Sequence, residues 1–201
     1  TVTVSGDGFV KNEGATYDVT GSQTEVGGEA NNNTFTYTLK TEDDKTLAEN
    51  YEITPVYGTL TVTNSSKVIT IESGTETWKY DGDEHSKPVY TVKYGDEEAT
   101  ADESGLVFTL PTGDTVTISN AATVKNVSDT KANNNTYDYV LTNADQYETV
   151  TPTYGTLTIT KRSVTLTSAT DTKEYDGTPL TNDTVTVSGD GFVKNEGATY
   201  D

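Results

Sequence analysis

The chain contains no cysteine, no methionine and only one histidine among its 201 residues. Without thiols it can form neither disulfides nor thiolate metal sites, and a single histidine leaves almost no basis for a zinc centre. A serine, histidine and aspartate triad would depend on His85, which stands in the polar run DGDEHSKP and is expected to be a loop residue. We therefore predict that the chain is not an enzyme.

Basic and apolar residues are also scarce. The chain has 13 Lys and Arg against 32 Asp and Glu, a net charge of −19, which repels nucleic acid and anionic lipid. Only 31% of the residues are hydrophobic, and no apolar run is long enough to span a bilayer. We expect no nucleic-acid partner, no direct membrane insertion, and thin cores of the kind found between two β-sheets.

Repetition, in contrast, is abundant. The stretch TVTVSGDGFVKNEGATYD at residues 1–18 recurs unchanged at residues 184–201, so Thr1 and Thr184 define a period of 183 residues. Exact recurrence at this spacing is typical of a tandem array. We therefore expect the chain to be a cut from a longer repetitive protein.

A weaker repeat lies inside the first. NNNTFTYTLK is matched by NNNTYDYVLT, TPVYGTLTVTN by TPTYGTLTITK, and TETWKYDG by TDTKEYDG. These phrases divide the period into two related units, repeat A and repeat B. Residues 1–64 form the C-terminal part of repeat A (the A-tail), residues 65–161 form a complete repeat B, and residues 162–201 form the N-terminal part of the next repeat A (the A-head).

Alternation of apolar residues with Thr or Ser predicts strands that have one buried face. The residues expected to point inward are Leu60, Val62, Val116, Ile118, Leu157, Ile159, Val164 and Leu166, together with Phe35, Tyr37, Leu39, Tyr137, Tyr139 and Leu141. Short strands between Gly, Asn and Asp clusters predict tandem small antiparallel β-sandwiches of the immunoglobulin-like, Greek-key type. A β-grasp fold is the alternative, but it needs a longer helix than residues 41–50 can supply.

Two short motifs recur in corresponding places. The first occurs as Tyr80, Asp81 and Gly82 and again as Tyr175, Asp176 and Gly177. Its Asp-Gly pair predicts a two-residue hairpin turn, since Gly tolerates positive φ, and its Tyr is expected to close the end of the sandwich. The second occurs as Tyr57 and Gly58 and again as Tyr154 and Gly155, where a bulge or tight bend is expected beside a tyrosine whose hydroxyl bonds the backbone.

These phrases, Tyr-Asp-Gly near the start of each unit and Tyr-Gly-Thr-Leu-Thr at its end, resemble the MBG and YDG-type repeats of bacterial surface adhesins. The resemblance covers nearly the whole chain, because the phrases occur once in each repeat. It implies small β domains strung in tandem at the cell surface, outside the cell, with adjacent repeats of the same protein as head-to-tail partners. Repeat B departs from the pattern with YDGDEHSKP where repeat A has YDGTPLT.

The leading functional expectation is a spacer in a long surface fibre or adhesin, which provides reach and no catalysis. The alternative is a binding module that recognises a host glycan or protein. Its candidate contact is Trp78, the only tryptophan, because the corresponding position in repeat A is Lys173. Glycan binding by repeat B that is lost in Trp78→Ala would favour the alternative.

Calcium binding and an intramolecular isopeptide bond are the two remaining kinds of chemistry to consider. For each, the simpler interpretation is that the residues involved are solvated surface groups. Calcium could use acidic turns at Asp81, Asp83 and Glu84, at Asp96, Glu97 and Glu98, or at Asp43 and Asp44, although none has EF-hand spacing. An intramolecular isopeptide bond could start from Lys173, Lys79 or Lys67, but no partner residue recurs in both repeats. We therefore expect no cofactor and no crosslink.

Overall fold

The computed structural model describes residues 1–40 and 48–200. Helix in this part of the chain is limited to single 3₁₀ turns at Ala48–Asn50, Val127–Asp129 and Ala144–Gln146, so the predicted all-β class is confirmed. Most of the stretch expected to hold a helical turn, residues 41–47, lies outside the described residues. No helix among the described residues is long and apolar enough to cross a membrane.

The chain divides into two compact bodies. The first body comprises Thr1–Ser66 and Ala144–Glu148, and the second comprises Lys67–Asn143 and Thr149–Asp201. The A-tail thus belongs to the first body, whereas most of repeat B and the A-head share the second.

The first body holds one antiparallel hairpin, made of β1 (Gly14–Val19) and β2 (Phe35–Lys40), with Tyr17 opposite Tyr37. Two isolated bridges, Gly27 with Val62 and Asn33 with Gly58, tie the end of the A-tail to the segment before β2. Two further segments of the first body form no strand, namely residues 2–6 and residues 53–56.

The second body is a layered β structure. Its strands are β3 (Ile69–Ser73), β4 (Glu76–Lys79), β5 (His85–Ser86), β6 (Tyr90–Tyr94), β7 (Glu97–Glu98), β8 (Thr100–Ala101), β9 (Val107–Thr109), β10 (Thr115–Ser119), β11 (Thr123–Val124), β12 (Asp138–Leu141), β13 (Val150–Thr153), β14 (Leu157–Thr160), β15 (Val164–Ser168) and β16 (Val185–Gly189). Two four-stranded sheets have the orders β13-β3-β6-β7 and β12-β10-β9-β8. Pairs β14-β4, β11-β5 and β15-β16 complete the body.

Two strand pairs of repeat B are parallel, β13 with β3 and β14 with β4. They join the end of the repeat to its beginning. Antiparallel strands were expected throughout from the sequence, but alternation cannot reveal parallel pairing because its period of two is the same in both kinds of ladder. The N- and C-terminal strands of one repeat therefore depend on each other.

Burial follows the predicted pattern in repeat B but not in the repeat A segments. Val116, Ile118, Leu157 and Ile159 are at most 2% exposed, as predicted. In the A-tail Tyr37 is 39% exposed, and in the A-head Leu166 is 46% exposed. The prediction that these two point into a core is wrong for this chain, since neither of their strands, β2 and β15, contains a buried residue.

Candidate functional site

An asparagine clamp holds the last strand of both repeats. In repeat B the Asn134 side chain donates to Leu157 O at 2.9 Å and accepts from the Leu157 N–H at 2.6 Å. In the A-tail Asn32 makes the same two bonds with Leu60, at 3.0 and 2.6 Å. The NNNT phrase recurs in the sequence at both positions, but repetition alone does not reveal this role. Matching bonds show that the two repeats fold alike at this point.

A pair of aromatic rings recurs beside the clamp. Tyr154 meets Tyr137 with ring centroids 5.1 Å apart at 60°, and Tyr57 meets Phe35 at 5.3 Å and 70°. The hydroxyl that bonds the main chain is that of Tyr137, which donates to Ile71 O at 2.6 Å. Burial raises the pKa of this phenol. The backbone-bonding role expected of the Tyr-Gly tyrosines thus belongs in repeat B to the ring that Tyr154 contacts.

Gly155 is needed for close approach between two backbones. A Cβ built on it would lie 2.1 Å from Gly74 O and 2.6 Å from Ser73 O. Its N–H donates to the Ser73 hydroxyl at 2.9 Å, and that hydroxyl donates to Asn135 O at 2.7 Å. Gly58, the counterpart in the A-tail, meets only the Asn33 side chain, at 3.8 Å. The same glycine is therefore tightly covered in one repeat and uncovered in the other.

The Tyr-Asp-Gly turns have the same local geometry in both repeats. The Asp81 carboxylate accepts from the Asp83 N–H at 3.0 Å, the Asp176 carboxylate accepts from the Thr178 N–H at 2.9 Å, and both glycines have positive φ. These bonds lower the pKa of both carboxyls, with Lys173 the largest influence on Asp176. The expected two-residue hairpin is wrong in repeat B, since β4 pairs with β14 and β5 with β11. The motif is an Asp-capped turn between separate sheets.

The tyrosines of this motif differ sharply in exposure. Tyr80 packs against the buried cluster of Val124, Leu157 and Ile159. Tyr175 is 97% exposed. The prediction that Tyr175 closes a sandwich is wrong in this chain, because no strand equivalent to β14 packs over the A-head within the described second body.

A polar joint links repeat B to the A-head within the second body. Arg162 lies at its centre and donates to three main-chain oxygens, those of Gly191 at 3.0 Å, Tyr80 at 3.1 Å and Asp190. The Tyr80 hydroxyl donates to the Glu196 carboxylate, which raises the pKa of that phenol. A small cavity of about 230 Å³ lies among these side chains. No role was predicted for Arg162 from the sequence, although it is the only arginine in the chain.

The Asp190 carboxylate completes the joint. It accepts from Lys79 Nζ at 2.8 Å and from the Ser163 N–H at 2.9 Å. The Lys79 ammonium and then the Ser163 amide hold the pKa of Asp190 below its ordinary value of 3.8. Repeat B and the A-head are thus connected by side-chain hydrogen bonds as well as by the covalent chain.

Trp78, the candidate ligand contact, packs against the same buried cluster as Tyr80. Its ring stacks on His85, with centroids 4.9 Å apart and planes at 16°. His85 lies in a short strand, where its Nε2 is 2.9 Å from the Asp81 carboxylate. The indole is thus partly used in packing, and the glycan-binding role of Trp78 stays a prediction.

Those residues weighed for ion binding and crosslinking that the structure describes lie on the surface. The described residues bring no three histidine, aspartate or glutamate side chains together as metal ligands, and Asp43 and Asp44 lie outside them. Lys173 bonds to Asp176, Thr178 and Pro179, while Lys67 lies over the Tyr94 ring at 4.8 Å. Lys79 belongs to the joint. None of these lysines has the buried setting that isopeptide formation requires.

In the comparisons with known proteins, no protein-family model matches the chain, nor does any curated protein or solved structure.

Proposed function

We propose that the chain is a spacer segment of a long bacterial surface fibre or adhesin, built from tandem β domains whose task is to provide reach. The observation that carries the proposal is the asparagine clamp, which has the same partners and distances in the A-tail and in repeat B. Related sequences that repeat along the chain and fold alike make a modular array.

The joint at Arg162 favours an array in which the connections between repeats are structured, and not one in which the repeats are joined by flexible linkers. The contacts that cross between repeat B and the A-head include the bond from Arg162 to Tyr80 O at 3.1 Å. They also include the bond from Lys79 Nζ to the Asp190 carboxylate at 2.8 Å. The net charge of −19 keeps extended chains soluble and apart. An extracellular, cell-surface location belongs to this proposal and rests on the adhesin resemblance of the repeat motifs.

Small-angle X-ray scattering tests the spacer proposal. A sandwich of this size is roughly 35 to 45 Å long, given about 3.4 Å per strand residue, so each period should add about 70 to 90 Å. Chains of one, two and three periods should therefore increase linearly in maximum dimension. A compact particle whose dimension grows much more slowly than the number of periods would contradict the proposal.

The alternative, a binding module for a host glycan or protein, depends on the half-buried Trp78 and its stacked partner His85. A glycan array probed with the whole chain and with Trp78→Ala would test it. Binding that is lost in the variant, with the far-ultraviolet circular dichroism unchanged, would favour the binding module.

A further inference from the structure

The first body has an open groove with a volume of about 1040 Å³. One wall is the face of the β1-β2 hairpin, where Tyr17, Phe35 and Tyr37 lie, and another is the segment from residue 50 to residue 58. Tyr17 is 36% exposed and Tyr37 is 39% exposed. A groove with so many aromatic side chains on its walls presents apolar area that a stable partner would cover.

The corresponding place in repeat B is occupied by β3. The registers of β10 with β12 and of β1 with β2 make Tyr17 the counterpart of Ile118, which is 2% exposed. In β3 both Ile69 and Ile71 are fully buried, and the Tyr137 hydroxyl next to β12 donates to Ile71 O at 2.6 Å. β3 also pairs in parallel with β13, Ile69 opposite Val150 and Ile71 opposite Pro152. The groove of the first body is thus the site of a missing β3.

The A-head contains the missing strand. In repeat B, β3 pairs with β6 from Ile69 opposite Tyr94 to Ser73 opposite Tyr90. In the A-head, β15 pairs with β16 from Val164 opposite Gly189 to Ser168 opposite Val185. Both pairs shift by the same 95 positions, so the two hairpins have one register. Yet Leu166 and Val187 are 46% and 43% exposed, where Ile71 and Val92 are buried.

Gly58 and Ser168 match the contact that closes repeat B. There the Ser73 hydroxyl accepts from the Gly155 N–H, and the Gly74 carbonyl occupies the space of a Gly155 Cβ. The shift of 95 places Ser168 in the position of Ser73. Gly58 has the open space that this approach requires, since among residues 1–40 and 48–200 only the Asn33 side chain comes within 4 Å of a Cβ built on it.

We infer that the groove of the first body binds the β15-β16 hairpin of a second copy of this chain. β15 enters parallel to residues 53–56, with Val164 opposite Ile53 and Leu166 opposite Pro55. The hairpin brings its own β16, which displaces residues 2–6, a segment of identical sequence. The inference deepens the proposed function and rests on it for the head-to-tail partner, because it names the contact through which one copy joins the next.

Such an association is heterologous, so it leaves one groove and one hairpin free and extends into chains. Two copies that each carry a charge of −19 repel one another, and salt screens that repulsion. In sedimentation velocity the weight-average mass of the wild type should therefore rise with concentration, and more at 0.5 M than at 0.05 M sodium chloride. A monomer at every concentration and salt level would overturn the inference.

Gly58→Ala is the sharpest variant for this test. Its methyl group has room in the free groove but would meet the incoming backbone at Ser168 and Ala169, so the association constant should fall at least tenfold. Gly14→Ala is the matched control, because a Cβ there meets nothing within 4 Å and its φ is not positive. It should associate as the wild type does. Equal association of both variants would contradict the proposed contact.

Because the chain has no cysteine, introduced thiols report the register directly. Oxidation of a mixture of Thr54→Cys and Thr165→Cys chains should give a disulfide-linked heterodimer, while Thr54→Cys with Thr167→Cys, two residues out of register, should give much less. Thr70→Cys with Thr151→Cys in one chain is the positive control, since these residues are opposite each other in β3 and β13.

The double variant Thr54→Cys/Thr165→Cys distinguishes a groove filled by the hairpin of a second copy from one filled by the hairpin of the same chain. At high dilution it should remain reduced, whereas an intrachain disulfide would show that the chain's own hairpin fills the groove and would overturn the inference. Absence of the heterodimer would also overturn it. Neither result alters the scattering test of the spacer proposal, which depends on covalently joined periods, so the two failures can be told apart.

Discussion

The same eighteen residues occur twice in this chain and adopt two different patterns of strand. In the N-terminal copy residues 2–6 form no strand, while Gly14–Val19 forms β1 against β2. In the C-terminal copy the pattern reverses, since Val185–Gly189 forms β16 against β15 and residues 197–200 form no strand. Each half of the stretch is a strand only where its partner strand is present.

The turn between those halves is the same in both copies. Gly6, Gly8 and Asn12 have φ values of 77°, 71° and 70°, and their counterparts Gly189, Gly191 and Asn195 have 81°, 69° and 69°. The Glu13 N–H donates to Val10 O at 3.0 Å, as the Glu196 N–H does to Val193 O at 2.9 Å. Turn geometry is thus fixed locally, whereas strand formation depends on residues far away in sequence.

The largest effect is expected when every missing partner strand is supplied in one chain. A chain of residues 65–201 followed directly by residues 19–64 contains repeat B and an uninterrupted repeat A. We expect a second cooperative unfolding transition in calorimetry and a new strand at the counterpart of β1, with Tyr200 no longer 44% exposed. A single transition, equal to that of repeat B alone, would contradict this expectation.

Truncation of the clamped leucine should affect the two repeats unequally. Leu157 is fully buried in a cluster with Val124 and Ile159, so Leu157→Ala should cost about 2 to 5 kcal/mol of unfolding free energy. Trp78, the only tryptophan, packs on that cluster and reports its urea unfolding by fluorescence. The matched variant Leu60→Ala should leave the fluorescence transition unchanged. A smaller loss of unfolding free energy for Leu157→Ala than for Thr158→Val would mean that Thr158, and not Leu157, points into the core.

Much of repeat B was predictable from sequence because its signals are local. The alternation identified Leu157 and Ile159 as core residues, and the Asp-Gly pairs identified turns. The parallel pairing of β13 with β3 and the joint at Arg162 were not predictable, since both depend on contacts between distant segments. The exposure of Leu166 and Tyr175 has a related cause: the pattern of a strand is present in the sequence whether or not the strand finds its partners.

Alanine at the two equivalent glycines should affect the two repeats differently. Gly155→Ala forces a methyl group against the Gly74 carbonyl and should destabilise repeat B by about 1 to 3 kcal/mol, the usual range for overpacking. In the monomer Gly58→Ala should have little effect, because the space is open. Urea titrations followed by Trp78 fluorescence for the first variant and by circular dichroism for the second measure both. Equal destabilisation would show that Gly58 is already covered.

The smallest effect is expected at the joint and depends on pH. Because the folded-state pKa of Asp190 is below 3.8, its carboxylate stabilises the joint above pH 3.8 and loses that contribution as the pH falls through the folded-state pKa. The Ser163 amide resonance, followed by nuclear magnetic resonance, should shift in this acid range. The shift should be absent in Asp190→Asn. A Ser163 amide resonance that titrates identically in both proteins would show that its shift does not arise from the Asp190 carboxylate.

Native-state hydrogen exchange of the dilute monomer shows whether a repeat is complete only when its first and last strands meet. Strands β2 and β12 are equivalents, but only β12 lies in a four-stranded sheet. Hydrogen-bonded amides in Asp138–Leu141 should exchange about a hundredfold more slowly than those in Phe35–Lys40, because local opening is easier in the uncovered hairpin. Equal protection of the two strands would contradict the account.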